Sequence, residues 1–304
     1  MSGVALALRR RGTIVAQMDQ RQQSDLAERP GSPLQLEWLG DLVDPDRDRF
    51  GSKSVNLALM ARWGLPVPDG FAVAFPSGHP GILSPEEERL LRDAYAELCI
   101  RAGSSPLPVA VRSSAVGEDG EELSFAGQYQ TRLEVIGETA LIQAVEECLA
   151  SQTSERALSY LKAAGARPAG MGVLIQRMVR AECAGVCFTQ SPVSIDEVAI
   201  EVVEGVGESL VSGKRSPARV CLGRERLELR SSDDPEEIFE SLGREGTRKL
   251  AQLALEAEKG FGFPVDVEWA FASGEIWLVQ SRPITAAPRS SADEEIRRDE
   301  IERL

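Results

Sequence analysis

The stretch VDVEWAFASGEIWLVQSRPI, residues 265–284, carries the reading of the fold. Its first half alternates. Val265, Val267, Trp269 and Phe271 fall on one side of an extended chain, and Asp266, Glu268, Ala270 and Ala272 on the other. Ser273-Gly274 is a turn signal, and Ile276 to Arg282 reads as the returning strand. Two registers compete. A two-residue turn pairs Glu268 with Val279 and puts Gln280 on the apolar side. A three-residue loop, Ser273 to Glu275, pairs Phe271 with Trp277, Trp269 with Val279, Glu268 with Gln280 and Asp266 with Arg282. A one-residue slip exchanges the two faces, so burial selects the register that segregates them, and the three-residue loop is expected. One sheet face then gathers a carboxylate, an amide oxygen and a guanidinium in a row.

A carboxylate and an amide oxygen suit Mg²⁺, a hard ion that keeps several waters and shares substrate phosphates. The same row also reads as a cross-strand polar ladder on an exposed face. Two upstream stretches bear on the choice. In Val109-Ala-Val-Arg112-Ser113-Ser114, a buried strand ends in an arginine and opens into a loop of Ser and Gly that runs on to Ser124-Phe-Ala-Gly127-Gln128. Arginine offers a bidentate fork to phosphate, and small residues let backbone donors come close. Gly51-Ser-Lys53-Ser opens a helix that runs to Gly64, and a helix N-terminus with an adjacent lysine attracts anions. It is not a Walker A loop, because Lys53 does not follow a glycine. Alone, each stretch is also an ordinary capped helix or surface loop. Together they supply a basic anion loop, an Arg-Ser loop and an acid–amide pair, the minimum for holding Mg²⁺ and a nucleotide.

Elsewhere helix and strand signals alternate. Ser84-Pro85-Glu86-Glu87 is a capping box that opens a helix carrying Leu91, Tyr95 and Leu98 and stopping at Gly103. Helices are expected near 139–150, 154–164 and 247–259, with another opening at Asp234-Pro235. Strands are expected near 128–136 and in VLIQRMV, GVCFT and VAIEVVEG, with a hairpin about Gly223. The chain has 304 residues, 42% hydrophobic and 27% charged, a globular composition with room for about two domains. Lys and Arg number 34 against 48 Asp and Glu, a net charge of −14, which opposes general nucleic-acid binding. No apolar run reaches the ~18 residues that span a bilayer. The start, MSGVALALRRRG, has its arginines after a short apolar run, the reverse of a signal peptide, so a cytoplasmic protein is expected. Five scattered cysteines do not make a disulfide framework, and Cys183 and Cys187 lack the further ligands zinc needs. With His79 as the sole histidine, any chemistry must run on carboxylates, amides, Lys, Arg and backbone N–H groups.

These motifs together resemble the ATP-binding, PEP/pyruvate-binding domain of the phosphoenolpyruvate synthase and pyruvate phosphate dikinase family, related to rifampicin phosphotransferase. The resemblance covers about residues 36–286. It rests on GSKSVNLALMARWGLPVPDGFAV, VAVRSSAVGEDGEELSFAGQYQTRLEV, VLIQRMV with GVCFTQSP, VVEGVGESLVSGKRSPAR and VDVEWAFASGEIWLVQSRPIT. It implies an α+β, ATP-grasp-like two-lobed fold that holds ATP between the lobes. By motif position it implies that Lys53 contacts nucleotide phosphates and that Arg112 contacts the transferring phosphoryl group. Ser113, Gly127 and Thr131 would line the phosphate loop, and Gln176 and the Met178-Val179 backbone would flank adenine. Glu268 and Gln280 would hold Mg²⁺, with Arg282 beside the γ-phosphate. Ser52 stands where the family commonly has glycine, Gln130 where an aspartate is usual and Arg132 where an aromatic is common. None of these removes a proposed ligand.

The domain organisation expected is a flexible extension over 1–33, an N-terminal lobe with the phosphate loops over 34–180, a C-terminal lobe with the metal site over 181–286, and a charged, linker-like tail over 287–304. Family members pass phosphoryl to a histidine on a swivelling domain, in a Gly-Gly-x-x-Ser-His-Ala-type motif. Nothing here matches it, and the FPSGHPG setting of His79 differs from it. The leading expectation is therefore a phosphotransferase module that binds Mg²⁺-ATP and donates phosphoryl to a histidine on a separate chain or domain. A non-catalytic nucleotide-binding regulatory or interaction module is the alternative, and a direct small-molecule kinase ranks third.

Overall fold

The computed structural model describes residues 34–115, 119–120, 123–124, 131–152, 170–205, 218–232 and 239–284. The expected N-terminal extension, the 287–304 tail, Gly127, the 154–164 helix and the helix start at Asp234-Pro235 lie outside the described residues.

Two antiparallel sheets organise residues 34–284. The first contains β1 (Gln35–Trp38), β2 (Gly70–Phe75), β3 (Val109–Ala115), β6 (Thr131–Val135) and β7 (Met171–Arg177), in the order β1-β2-β7-β3-β6. The second contains β8 (Cys183–Phe188), β9 (Glu197–Glu204), β10 (Ala218–Gly223), β11 (Leu229–Ser232), β12 (Val265–Ala272) and β13 (Glu275–Pro283), in the order β11-β10-β9-β8-β12-β13. Between β3 and β6, β4 (Asp119–Gly120) pairs with β5 (Leu123–Ser124). Helices α1 (Arg47–Arg62), α2 (Pro85–Ala102), α3 (Glu138–Gln152) and α4 (Phe239–Phe261), with a single 3-10 turn at Asp44–Asp46 before α1, complete the described elements. The α+β class is the one expected.

The first sheet is covered on both faces. Phe71, Val73, Val111, Val173 and Ile175 pack with Leu91, Tyr95 and Leu98 of α2 and with Leu141 and Val145 of α3. On the opposite face, Ala72, Ala74 and Leu174 join Phe50, Leu57 and Met60 of α1. The same cluster continues into Val265, Val267, Trp269, Ile276 and Leu278 of the second sheet and Leu250, Ala251, Ala254 and Ala257 of α4. One apolar core therefore ties the two sheets together through α1. The capping box of α2 forms as expected: the Glu87 N–H donates to Ser84 Oγ (3.4 Å) and the Ser84 N–H to Glu87 Oε2 (2.7 Å). Gly103 closes α2 in the left-handed region.

Helix α1 departs from expectation at its start. Helical geometry runs from Arg47, breaks at Gly51 (φ 75°, ψ 167°) and resumes at Ser52. A Cβ at Gly51 would lie 1.9 Å from the Ser114 carbonyl oxygen. Only glycine fits both the dihedrals and the space. The break presses the Gly51-Ser-Lys53 segment directly onto the end of β3.

The β12–β13 hairpin corrects the expected loop. Ala272 pairs with Glu275, so the turn is the two-residue Ser273-Gly274, and both residues have positive φ (53° and 80°). That is the turn whose twist matches the strands it joins. Trp269 accordingly faces Leu278, not Val279, and Phe271 faces Ile276, not Trp277. The register then shifts between Glu268 and Trp269: Val279 is the extra residue of a bulge, and beyond it Glu268 pairs with Gln280 and Asp266 with Arg282, as expected. The bulge reconciles a tight turn near the tip with the polar row farther down. The apolar face is not wholly apolar, since buried Ser281 sits opposite Val267.

Candidate functional site

Arg112, on β3 of the first sheet, reaches the second. Its Nη1 donates to the Val279 carbonyl (3.1 Å) and to Gln280 Oε1 (3.2 Å), and it lies 3.6 Å from Glu268 Oε2. The carbonyl it uses belongs to the bulged residue. Bulges recur beside functional sites because they re-aim backbone groups in this way. Arg112 Nε is buried and has no hydrogen-bond partner among the described residues. Such a donor is costly to bury unless something accepts from it.

Around Arg112 the other expected groups converge in part. Lys53 Nζ donates to the Ser113 carbonyl (3.2 Å), and the Ser54 N–H donates to Ser114 Oγ (3.2 Å). Both bonds follow from the docking of the α1 break on β3. Asn56 Nδ2 donates to the Ser281 carbonyl (2.8 Å), while its Oδ1 accepts from Arg47 (2.9 Å). This stitches α1 to β13 beside the polar row. Ser113 is buried, and Thr131 is exposed in the β6 position paired with Arg112. Gln176 shares the Arg112 face of the first sheet, one pleat along β7. It is buried and donates from Nε2 to the Pro68 carbonyl (3.3 Å). The Met178 N–H donates to the Pro108 carbonyl, and the Val179 carbonyl accepts from Ala181. Met178 and Val179 lie in the segment connecting the two sheets.

On the second sheet, Arg282 Nε donates to Asp266 Oδ2 (2.8 Å), and its Nη2 completes the ion pair at 2.8 Å from the same oxygen. Asp266 is 4% exposed, and its Oδ1 has no hydrogen-bond partner among the described residues. Burial pushes the Asp266 carboxyl above the usual range. Arg282 opposes that shift, and the Glu268 and Glu201 carboxylates add to it. Glu201 extends the row. The pairs Glu268–Val186, Val186–Glu201 and Glu201–Arg219 lie on one rung across four strands, and the last forms an ion pair at 3.7 Å. Asp266 and Glu201 were not among the sites chosen from sequence. Asp266 was visible as the partner of Arg282, whereas Glu201 sits in the apolar run VAIEVVEG and only strand pairing places it.

The donor set fits a hard divalent cation. Glu268 and Gln280 present oxygens side by side, and Asp266, two residues before Glu268 on the same face, has an unused buried oxygen. Among the described residues no cluster of three or more His, Cys, Asp or Glu side chains forms a self-sufficient metal cage. That fits an ion completed by phosphate oxygens and water. The cysteines take no part: all five are buried, and burial raises the thiols of Cys148 to about 12 and of Cys183 to about 11. His79 is structural. Its Nε2 lies 3.3 Å from Glu87 Oε1, its Nδ1 accepts from the Gly81 N–H (3.2 Å), and its ring packs edge-on against Phe75. No helix among the described residues is long and apolar enough to cross a membrane.

Known proteins bear on this geometry. The family model "Pyruvate phosphate dikinase, AMP/ATP-binding domain" matches residues 81–237 and 225–303, well over half the chain. A probable phosphoenolpyruvate synthase of Methanocaldococcus jannaschii is 30% identical over 88% of this chain and 28% of its own length. The uncharacterized phosphotransferase YvkC of Bacillus subtilis is 32% identical over 77% of this chain and 33% of its own. The chain thus spans about a third of such relatives. Likeness to solved structures is looser: a D-alanine–D-alanine ligase from Bacillus anthracis aligns over 84% of this chain and 63% of its own at 10% identity, with a TM-score of 0.39. The extent of the family match settles that this chain belongs to the family of the pyruvate phosphate dikinase AMP/ATP-binding domain.

Proposed function

We infer that the chain is the ATP-binding module of a phosphotransferase of the phosphoenolpyruvate synthase and pyruvate phosphate dikinase type. The observation that carries this is Arg112 spanning the two sheets to Gln280 and Glu268, with Lys53 on the adjoining residue's carbonyl. Residues 34–180 supply the phosphate-binding cations, and 181–286 supply the oxygen ligands. ATP lies between them, its phosphates against Lys53, Arg112, Ser113, Gly127 and Thr131, and its adenine beside Gln176, Met178 and Val179. Glu268 and Gln280 hold Mg²⁺, with Asp266 as a third oxygen source.

In phosphoryl transfer the protein positions groups and neutralises charge. Bound Mg²⁺ would supply charge neutralisation between phosphate oxygens. Arg112 provides a fixed fork for the transferring group. It is held ready by the Val279 carbonyl and Gln280 and carries an unspent Nε–H. Lys53 contributes a point charge, and Arg282, pinned by Asp266, sets a third cation at the far end of the row. With His79 bonded on both ring nitrogens, this chain's own residues point to an acceptor histidine on a separate chain or domain.

Two measurements test the reading. Calorimetric titration with ATP should show micromolar binding that Mg²⁺ strengthens; no binding in either condition would leave a non-catalytic interaction module. Incubation with labelled ATP and a phosphohistidine domain from a full-length relative should then label that domain. ATP binding without labelling would retire the transfer step alone.

A further inference from the structure

The two oxygens offered to Mg²⁺ face a cation that the chain itself supplies. Arg112 Nη1 lies 3.2 Å from Gln280 Oε1 and 3.6 Å from Glu268 Oε2. Among the described residues this is the ion pair that Glu268 makes. Mg²⁺ binds oxygens at about 2.1 Å and sheds water reluctantly. A metal held by Glu268 and Gln280 would face Nη1 across the same oxygens, like charge to like charge. Water screens little of that repulsion, because the Arg112 side chain is 14% exposed and that of Glu268 25%. The guanidinium and the metal are therefore alternatives at these ligands.

Arg112 also has a way to leave them. Its Nη1 donates to the Val279 carbonyl (3.1 Å), a neutral acceptor outside the proposed ligand set, while the buried Nε has no partner among the described residues. A phosphate group can accept from Nε and an Nη together, the bidentate pairing that Gln280 and Glu268 do not give. Turning toward phosphate satisfies Nε and frees both oxygens, with the Val279 carbonyl as the pivot. We propose that Arg112 guards the metal ligands: it holds Glu268 and Gln280 against a free divalent cation and yields them when the phosphates of a nucleotide draw it off. The guard rests on the nucleotide reading above and adds an order of binding to it. Phosphate comes first, or the metal arrives already on phosphate; the bare ion is kept out. One guanidinium cannot serve both partners, so ATP bound without metal leaves Glu268 uncompensated.

Titration of the full chain with Mn²⁺ alone, followed by loss of the free ion's electron paramagnetic resonance signal, tests this without turnover. Mn²⁺ takes the same oxygen donors as Mg²⁺. The wild type should bind it weakly. Arg112→Met, which removes the charge, should bind it roughly tenfold or more tightly, and adding Glu268→Gln to Arg112→Met should abolish the gain. Arg112→Gln serves in place of Arg112→Met if that variant fails to fold. Equal Mn²⁺ affinity in the wild type and the folded variant would overturn the proposal, as would a gain that survives Glu268→Gln. Melting the wild type with Mg²⁺ and no nucleotide needs no substitution, and a raised transition there would overturn it too. Calorimetry with ATP separates the two readings. ATP binding with unchanged Mn²⁺ affinity retires the guard alone, whereas absent ATP binding retires the nucleotide site on which it stands.

Discussion

Asp266 shows at the scale of one side chain how the site trades stability for chemistry. Its carboxyl is almost wholly buried and raised by that burial, with Arg282 as partial compensation. A raised folded-state value means that the folded protein holds the proton more tightly than the unfolded chain. The stability this contributes is fully present below the unfolded value, about 4, and is lost as pH rises through the raised one. Ionised, Asp266 is a buried carboxylate with one oxygen lacking a hydrogen-bond partner among the described residues, so ionisation costs the fold more than it costs the unfolded chain. Asp266→Asn should melt higher than the wild type at pH 7, with the advantage shrinking toward pH 4, and should bind Mg²⁺-ATP more weakly. Melting curves across that range decide the matter; a variant less stable at pH 7 would mean that the Arg282 pair outweighs burial. Much of this row was legible in the sequence. Alternation together with the register that segregates the two faces placed Asp266 opposite Arg282 and Glu268 opposite Gln280. Glu201 was not legible, because its place depends on which strands pair, and strand order is set by distant segments.

Among the elements, the β12–β13 hairpin and the broken α1 set the geometry. The hairpin's polar row was read from sequence correctly, but for a wrong reason. The expected longer loop is a two-residue turn, and Val279, inserted as a bulge, supplies the missing shift. A bulge is invisible to a period-two pattern because it changes the count without changing residue types. Deleting Val279 leaves Trp269 opposite Leu278 and Glu268 opposite Gln280 in an unbroken ladder, so the variant should fold. It also removes the carbonyl that holds Arg112. A hydrogen bond to a charged group contributes about 1.5–3 kcal/mol, so ATP affinity should fall by roughly tenfold or more while the melting temperature changes little. Unchanged affinity would show the bulge to be incidental. In α1 the opposite holds: the sequence announced a helix after Gly51 but not the contact of its backbone with Ser114. Gly51→Ala combines forbidden dihedrals with overlap against a strand carbonyl and should cost about 3 kcal/mol or more. Denaturant titration would measure it, and a loss below about 1 kcal/mol would show that the break can relax.

For the molecule as a whole, the apolar core that runs from the first sheet through α1 to the second sheet and α4 has a thermodynamic consequence. Among the described elements the sheets are joined along the chain at the single segment Met178–Glu182, yet Leu57 and Met60 share a cluster with Trp269 and Leu278. The protein should therefore melt in one cooperative step, and a ligand bound at the Arg112 junction should stabilise all of it. At 100 times its dissociation constant a ligand adds about 2.7 kcal/mol. For a domain of this size that corresponds to roughly 5–10 °C. Mg²⁺-ATP should thus raise a single melting transition by about that much. ATP alone should raise it less, because the phosphate charges then meet the carboxylates of the second sheet without a cation between them. Glu268→Gln removes one of those negative charges and weakens the metal site. It should abolish the difference between ATP and Mg²⁺-ATP, with a response to ATP alone at least as large as in the wild type. Calorimetry in the four conditions separates the contributions. A Mg²⁺ increment that persists in Glu268→Gln would move the metal to other oxygens. Two resolved transitions, only one of them shifted by nucleotide, would show that α1 does not couple the sheets and that the site sits on one sheet alone.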